Sequence, residues 1–246
     1  MEMPIVPSDQ LRTFHHLLAT EYGVTPGQIA EYAGRNLAWL ARMWLEDDLA
    51  DRPVVVLAGR GHNGAGGLAA ARQLLDWSAW VQIVLSHPPG GYQGVAAEQL
   101  ATLQAVSAPL AWAEEGWELP PADLVIDALI GCGLHGEPGG RVRDLIQLAN
   151  SSLAPVLSLE SPTGLALATG ELCDLHVRAA ATLALGLPGA ALVQEPGRSA
   201  CGELYLADIG APPGLYAQLG LSAPPFAHGA PLSLEVVDGK ARVVTQ

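Results

Sequence analysis

Apolar residues along this chain fall alternately into short continuous runs and into runs spaced three or four apart, and that alternation predicts the elements. Residues 8–22 read as a helix, with Ser8 as a candidate N-cap and Leu11, Phe14, Leu17 and Leu18 on one face. A turn at Gly23 leads to a second helix after Pro26, through Ile29, Ala33, Leu37, Leu40, Ala41 and Trp44. Val54 to Leu57 is an unbroken apolar run, as expected of a strand buried on both faces. The glycines 59, 61, 64, 66 and 67 predict a loop after it, and Leu68, Ala71, Leu74 and Leu75 then resume a helical spacing. Further strands are expected at Trp80–Leu85, Asp123–Ile130, Pro155–Leu159, Ala181–Leu185 and Glu203–Ala207. Helices are expected at about Tyr92–Val106 and at Arg141–Ser151. Segment 111–121 reads as a surface connection, and Asp238-Gly239 between two apolar runs reads as the turn of an added hairpin.

Strands alternating with helices imply an α/β fold with a mostly parallel sheet and helices on both faces. At 246 residues one domain is expected, with an N-terminal helical pair (1–50), a core (51–220) and a C-terminal tail hairpin (221–246). The pair is expected to cover a sheet edge or to meet a partner subunit. Its apolar positions Phe14, Leu17, Ile29, Leu37 and Trp44 exceed what an edge cover needs, which predicts a dimer. In parallel sheets ligands sit beyond the carboxyl ends of the strands. That rule collects Asn63, Asp127, the loop 131–136 and Glu160 at one rim, although they lie far apart in sequence.

Composition narrows the function. Half the residues are hydrophobic and 15% charged, which excludes a disordered chain. A net charge of −13 with twelve basic residues argues against nucleic-acid binding, and any phosphate must be held locally by backbone dipoles. Cys132, Cys173 and Cys201 fit no metal spacing and leave one thiol over in any disulfide scheme, so free thiols in a reducing compartment are expected. No signal-like apolar stretch and no run of membrane-spanning length occur, so a cytoplasmic, membrane-free protein is expected.

The pattern G-x-G-x-x-G occurs at 59–64 and again at 131–136, each time after an expected strand. The strand after the first loop ends in Leu85-Ser86-His87, without the acidic residue that holds a ribose hydroxyl in dehydrogenases. Phosphate or nucleotide contact is therefore expected, and hydride transfer is not. Asp127 lies in the apolar run LVIDALI, where an unpaired carboxylate is costly. It is either a hydrogen-bonded aspartate or, with Asn63 and Thr163, part of a hard-oxygen site for an alkali or alkaline-earth cation. Glu160 ends an apolar strand and reads as a general acid–base or as a turn partner. His62 and His135, one in each glycine loop, could donate to phosphate or face solvent. There is no G-x-S-x-G elbow, P-loop or H-E-x-x-H, which removes the common hydrolases, ATPases and zinc proteases.

At these residues the chain resembles the YjeF N-terminal domain, the NAD(P)H-hydrate epimerase family. The family pattern G-x-G-N-N-G-G-D-G, followed by L-x-x-A-R-x-L, is similar to Gly59 through Gly67 with Leu68, Ala71, Arg72 and Leu74. D-A-x-x-G-T-G-x-x-G matches Asp127 through Gly136, and P-V-x-S-x-D-I-P-S-G matches Pro155 through Gly164. The resemblance implies a Rossmann-like three-layer sandwich, usually dimeric, that interconverts the R and S forms of hydrated NADH and NADPH and uses a potassium ion. By position, Asn63, Asp127 and Thr163 would hold potassium, and Glu160 would be the acid–base group. The ligand would lie along His62, Asn63, Gly64, Ala65 and Gly66, and along Gly131, Cys132, Gly133, Leu134, His135, Gly136 and Glu137. This chain departs from the pattern at His62 (for Asn), Gly66 (for Asp), Glu160 (for Asp) and Thr163 (for Ser), and Gly189 follows Pro188 where lysine is frequent. The alternative is a catalytically degenerate nucleotide-binding or dimerisation module on the same fold.

Overall fold

In a computed structural model, which describes all residues except Glu115, Ala227, His228, Thr245 and Gln246, the chain builds one ten-stranded sheet. Its strands are β1 (Glu2–Met3), β2 (Pro53–Ala58), β3 (Trp80–Leu85), β4 (Leu110–Trp112), β5 (Leu124–Ala128), β6 (Val156–Leu159), β7 (Ala181–Leu185), β8 (Glu203–Ala207), β9 (Leu232–Val237) and β10 (Lys240–Val243). The order is β1-β10-β9-β8-β7-β6-β5-β2-β3-β4. From β4 to β8 all neighbours run parallel, and β9, β10 and β1 add antiparallel strands at the far edge. The tail hairpin thus extends the same sheet. Segment 111–121 is not wholly a surface connection, because its start pairs with β3 as the edge strand β4.

The helices are α1 (Ser8–Thr20), α2 (Pro26–Trp44), α3 (His62–Asp76), α4 (Gly94–Ala105), α5 (Gly140–Ser151) and α6 (Pro213–Gln218). Period-two alternation decides which strand residues meet them. Val54, Val56, Ala58, Ile126 and Ala128 face the layer made by α1 to α4 and α6, while Val55, Leu57 and Val125 face Val142, Leu145 and Ile146 of α5. A third cluster, with Leu165, Leu192, Leu204 and Leu234, closes the antiparallel end. Helix α2 starts at a capping box in which Thr25 and Gln28 satisfy each other's backbone N–H, with Pro26 at its first position. Ser8 is not a cap. Pro7 takes that position, and the Ser8 hydroxyl donates to the Ala168 carbonyl at 2.8 Å.

The N-terminal pair covers a face of the sheet rather than an edge: α2 lies along α3, joined by the Arg72–Glu31 ion pair. Phe14 and Leu37 are completely buried in the chain's own core, and Leu17, Ile29 and Trp44 pack against it. These five positions therefore serve the monomer, and they are no argument for a partner.

Helix α3 begins at His62, not after the glycine cluster. Gly64, Gly66 and Gly67 are helical residues, and their role is close packing. A side chain at Gly64 would run into the Gly59 carbonyl, and one at Gly66 would come within 2.6 Å of Leu159 Cδ2. Strand order reverses between β2 and β5, which makes their carboxyl ends the topological switch point. There the Leu129 carbonyl occupies the space that a Cβ on Gly59 would need, so the two loops touch as only glycine allows.

Candidate active site

The carboxyl rim around that switch point gathers loops from β2, β3, β5 and β6. Glu160 follows β6 and keeps one sheet bond, its N–H donating to the Leu183 carbonyl at 2.8 Å. The backbone then turns sharply at φ +65°, a left-handed conformation that costs a non-glycine residue of order 1–2 kcal/mol. That turn aims the carboxylate away from the strand and across Gly131, where Oε2 accepts the Cys132 N–H at 2.8 Å. The residue is 9% exposed.

Two cavities meet at this carboxylate. The first, of about 230 Å³, lies under the helical pair and is lined by His15, Ala19, Ile29, Ala33, Leu159 and Leu185, among others. The second, of about 400 Å³, runs along the glycine loops past Arg60, Gly61, Ser86, His87, Ile130 and Gly133. His62, Asn63, Cys132 and Glu160 line both. The first is almost wholly apolar apart from those four residues and His15. Burial holds the His15 imidazole below its ordinary pKa, opposed first by the Glu160 carboxylate and then by the Leu185 backbone. Cys132 is exposed at the cavity mouth, and enclosure of its thiol, followed by the charge of Glu160, raises the thiol pKa.

Asp127 is fully buried, at 0% exposure, near the end of β5. Its Oδ1 accepts the Thr163 hydroxyl at 2.7 Å and the Leu129 N–H at 3.2 Å, and its Oδ2 accepts the Ser158 hydroxyl at 2.8 Å and the Thr163 N–H at 2.9 Å. The Thr163 Oγ1 also accepts the Ile130 N–H at 3.0 Å and lies 3.2 Å from the Ile130 carbonyl oxygen. Burial raises the Asp127 pKa, and the hydrogen bonds of Thr163, Ser158 and Leu129 pull it back. No cationic side chain is among these partners. Asn63, at 8% exposure, has both amide atoms buried without a hydrogen-bond partner, and its Oδ1 faces Gly131.

Asp127, Thr163 and Ile130 thus share one hydrogen-bonded group of hard oxygens, and Asn63 adds an orphaned amide oxygen beside Gly131. That chemistry fits a large monovalent cation, which takes several neutral oxygens and needs little charge. Among the described residues no cluster of three His, Cys, Asp or Glu side chains occurs, so the donors do not suit zinc.

Of the residues expected to line a ligand, His62, Asn63, Gly131, Cys132, Gly133 and Glu160 do line the cavities. Gly64, Ala65 and Gly66 are buried inside α3 and border neither, because the helix starts early. Leu134 is buried, and His135, Gly136 and Glu137 are exposed beyond the cavity wall. Sequence reasoning missed His15, Ser158 and the Ile130 carbonyl. His15 carried no local signal, being a polar position on an amphipathic helix. Arg60, Ser86 and His87 also line the second cavity, and only the absent acid after β3 pointed toward them.

Comparison with known proteins identifies a family. The family described as "YjeF-related protein N-terminus" matches residues 26–191. The NAD(P)H-hydrate epimerase of Truepera radiovictrix is 38% identical over 90% of this chain and 96% of its own length. A protein of the same name from Dehalogenimonas lykanthroporepellens is 36% identical over 86% of this chain and 84% of its own. The bifunctional NAD(P)H-hydrate repair enzyme Nnr of Moorella thermoacetica is 30% identical, with the match spanning 87% of this chain and 42% of that longer protein. Among solved structures, yeast YNL200c superposes with a TM-score of 0.75 at 20% identity, over 94% of this chain and all of its own, which shows the shared fold.

Proposed function

We propose, because the chain belongs to the family of YjeF-related protein N-termini, that it is an NAD(P)H-hydrate epimerase acting on hydrated NADH and NADPH. The observation that carries the proposal is the placement of Glu160: a carboxylate held at positive φ, anchored by one backbone N–H and facing the junction of two cavities. One balanced route to inversion of the carbinol carbon protonates its hydroxyl, which leaves as water with the C–O electron pair while the ring nitrogen's lone pair stabilises the cation; water then adds to the other face and gives up a proton. Glu160 is the group positioned to move that proton. The Cys132 N–H fixes one of its oxygens and leaves the other for the substrate hydroxyl. The N–H groups at the start of α3 and along 131–133 serve the diphosphate, as helix N-termini and glycine turns do. Together these anchors hold the ring while its hydroxyl exchanges.

Potassium belongs to this reading. Asn63 Oδ1, Asp127, Thr163 Oγ1 and the Ile130 carbonyl would hold it, and its charge would balance the buried Asp127 and order the loop 128–133 beside Glu160. The three thiols are unpaired in the structure, which supports a reducing, cytoplasmic setting. Among the described residues no helix is long and apolar enough to cross a membrane. A homodimer completes the proposal, and Tyr22, just after α1, and Tyr32, on α2, are exposed apolar surface it would use.

Following the R-to-S conversion of hydrated NADH with the wild-type protein and with Glu160→Gln tests the reading. The amide keeps the bond from Cys132 but cannot exchange a proton, so turnover should fall by about a hundredfold or more. Equal conversion rates for variant, wild type and buffer would overturn it in favour of a non-catalytic binding module.

A further inference from the structure

We infer that the site is built for the phosphorylated dinucleotide: Arg60, Ser86 and His87 form a seat for the adenosine 2′-phosphate, and hydrated NADPH is the preferred substrate. The substrate's name rests on the epimerase reading, whereas the seat is argued from the geometry alone.

In a β-loop-α-β nucleotide half, the end of the second strand reads the ribose. A carboxylate there accepts from the ribose hydroxyls and repels a phosphate, while an arginine nearby accepts the 2′-phosphate. Here that strand is β3, which ends at Leu85 and continues into Ser86 and His87. Of the residues lining the 400 Å³ cavity, Glu160 alone carries a carboxylate. It follows β6, three strands away from β3 in the order β3-β2-β5-β6 and so about 14 Å across the sheet at ordinary strand spacing. A dinucleotide with its reacting ring at Glu160 therefore sends its far ribose toward β3.

What it meets there is positive or neutral. Ser86 is buried, its N–H donating to the Ala58 carbonyl at 3.0 Å, and its Oγ lies 2.9 Å from His87 Nδ1. The Tyr92 hydroxyl donates to the same Ala58 carbonyl at 2.7 Å and braces the turn from behind. Arg60, on the first glycine loop, lines the same cavity wall as Ser86 and His87; burial first and the charge of Arg60 second lower the His87 pKa. A guanidinium, a hydroxyl and an imidazole on one cavity wall are the donors that a phosphate dianion takes, the guanidinium through paired N–H bonds. On a chain of net charge −13 such a corner must act locally.

Calorimetric titration of adenosine 2′,5′-bisphosphate and of 5′-AMP tests the seat without any turnover. The wild type should bind the bisphosphate at least about tenfold more tightly, a difference of about 1.4 kcal/mol. Arg60→Gln should bring the two nucleotides to similar affinity, and His87→Glu, which places a carboxylate at the ribose end, should reverse the order. In turnover the ratio of kcat/KM for hydrated NADPH over hydrated NADH should follow the same sequence. Equal wild-type binding of both nucleotides overturns the inference. So does an Arg60→Gln variant that weakens both alike, since the arginine then holds the 5′-phosphate that the two nucleotides share. A protein that prefers the bisphosphate yet converts neither hydrate keeps the seat and refutes the epimerase reading, whereas a working epimerase without nucleotide preference refutes the seat alone.

Discussion

Replacing Gly131 with alanine separates the position of the Glu160 carboxylate from its chemistry. A Cβ at 131 would stand inside the contact shell of Glu160 Oε2 and only 3.1 Å from both the Glu160 carboxyl carbon and Asn63 Oδ1. The obstacle is the far end of a side chain and not backbone, so the fold can yield by turning Glu160 aside. Gly131 does not sit at positive φ, and alanine adds no backbone strain there. The carboxylate must retreat by about an ångström, which is the scale of misplacement that costs a catalytic site about a hundredfold. The retreat also withdraws Oε2 from the Cys132 N–H, a charge-assisted bond worth about 1.5–3 kcal/mol, although water entering the open cavity recovers part of it. We therefore expect kcat/KM for hydrated NADH to fall about a hundredfold while the urea midpoint moves by less than about 2 kcal/mol equivalent. Steady-state kinetics and equilibrium unfolding on the same preparations decide it. Full activity in Gly131→Ala would refute the claim that the contact of Glu160 with Gly131 sets the reacting geometry, and loss of folding would show that the loop tolerates no side chain.

Two further outcomes probe the cation set and the helical pair. Exchanging choline chloride for potassium chloride at equal ionic strength should raise the melting temperature, since a ligand bound only by the folded state at a hundred times its Kd adds about 2.7 kcal/mol. Asn63→Ala should abolish the rise, and a wild type indifferent to potassium would refute the oxygen set as a cation site. His15 is held below its ordinary value of 6.5 by burial, against Glu160 and then the Leu185 backbone, so the unfolded chain binds its proton first on acidification. Stability from this residue is complete above that value and is lost as the pH falls through it toward the folded pKa. Urea midpoints above and below that window should therefore drop in the wild type and drop less in His15→Gln, and equal drops would refute the assignment.

Much of the fold could be read locally, and the exceptions share a cause. Trp80–Leu85, Ala181–Leu185 and Glu203–Ala207 have the bounds expected of them, because strands buried along most of their length are written mainly in apolar residues, with few polar interruptions such as Gln82 and Thr182. The start of α3 was hidden, since glycine is a turn signal when read alone and a packing device when Leu159 and the Gly59 carbonyl lie against it. Strand β4 is three residues long and is fixed by its partner β3, not by its own composition. The same division runs through the site. Asp127 and Glu160 stood out because a polar residue at the end of an apolar strand has few reasons to be there, whereas Thr163, four residues past β6, stood out only through the family pattern. Their organisation was not legible, for it depends on a positive φ at Glu160 and on the reversal of strand order between β2 and β5. His15 illustrates the limit. It sits on a helix some 145 residues before Glu160, and only the packing of α1 over the sheet brings both to one cavity wall. The departures follow the same logic: Gly66 opens space that Leu159 fills from β6, so the apolar wall beside Glu160 is one unit with the glycine that stands where the family pattern has aspartate. An aspartate restored at 66 would have to displace Leu159 to enter that wall, which ties the residue at 66 to the residue at 159 before it reaches the chemistry at 160.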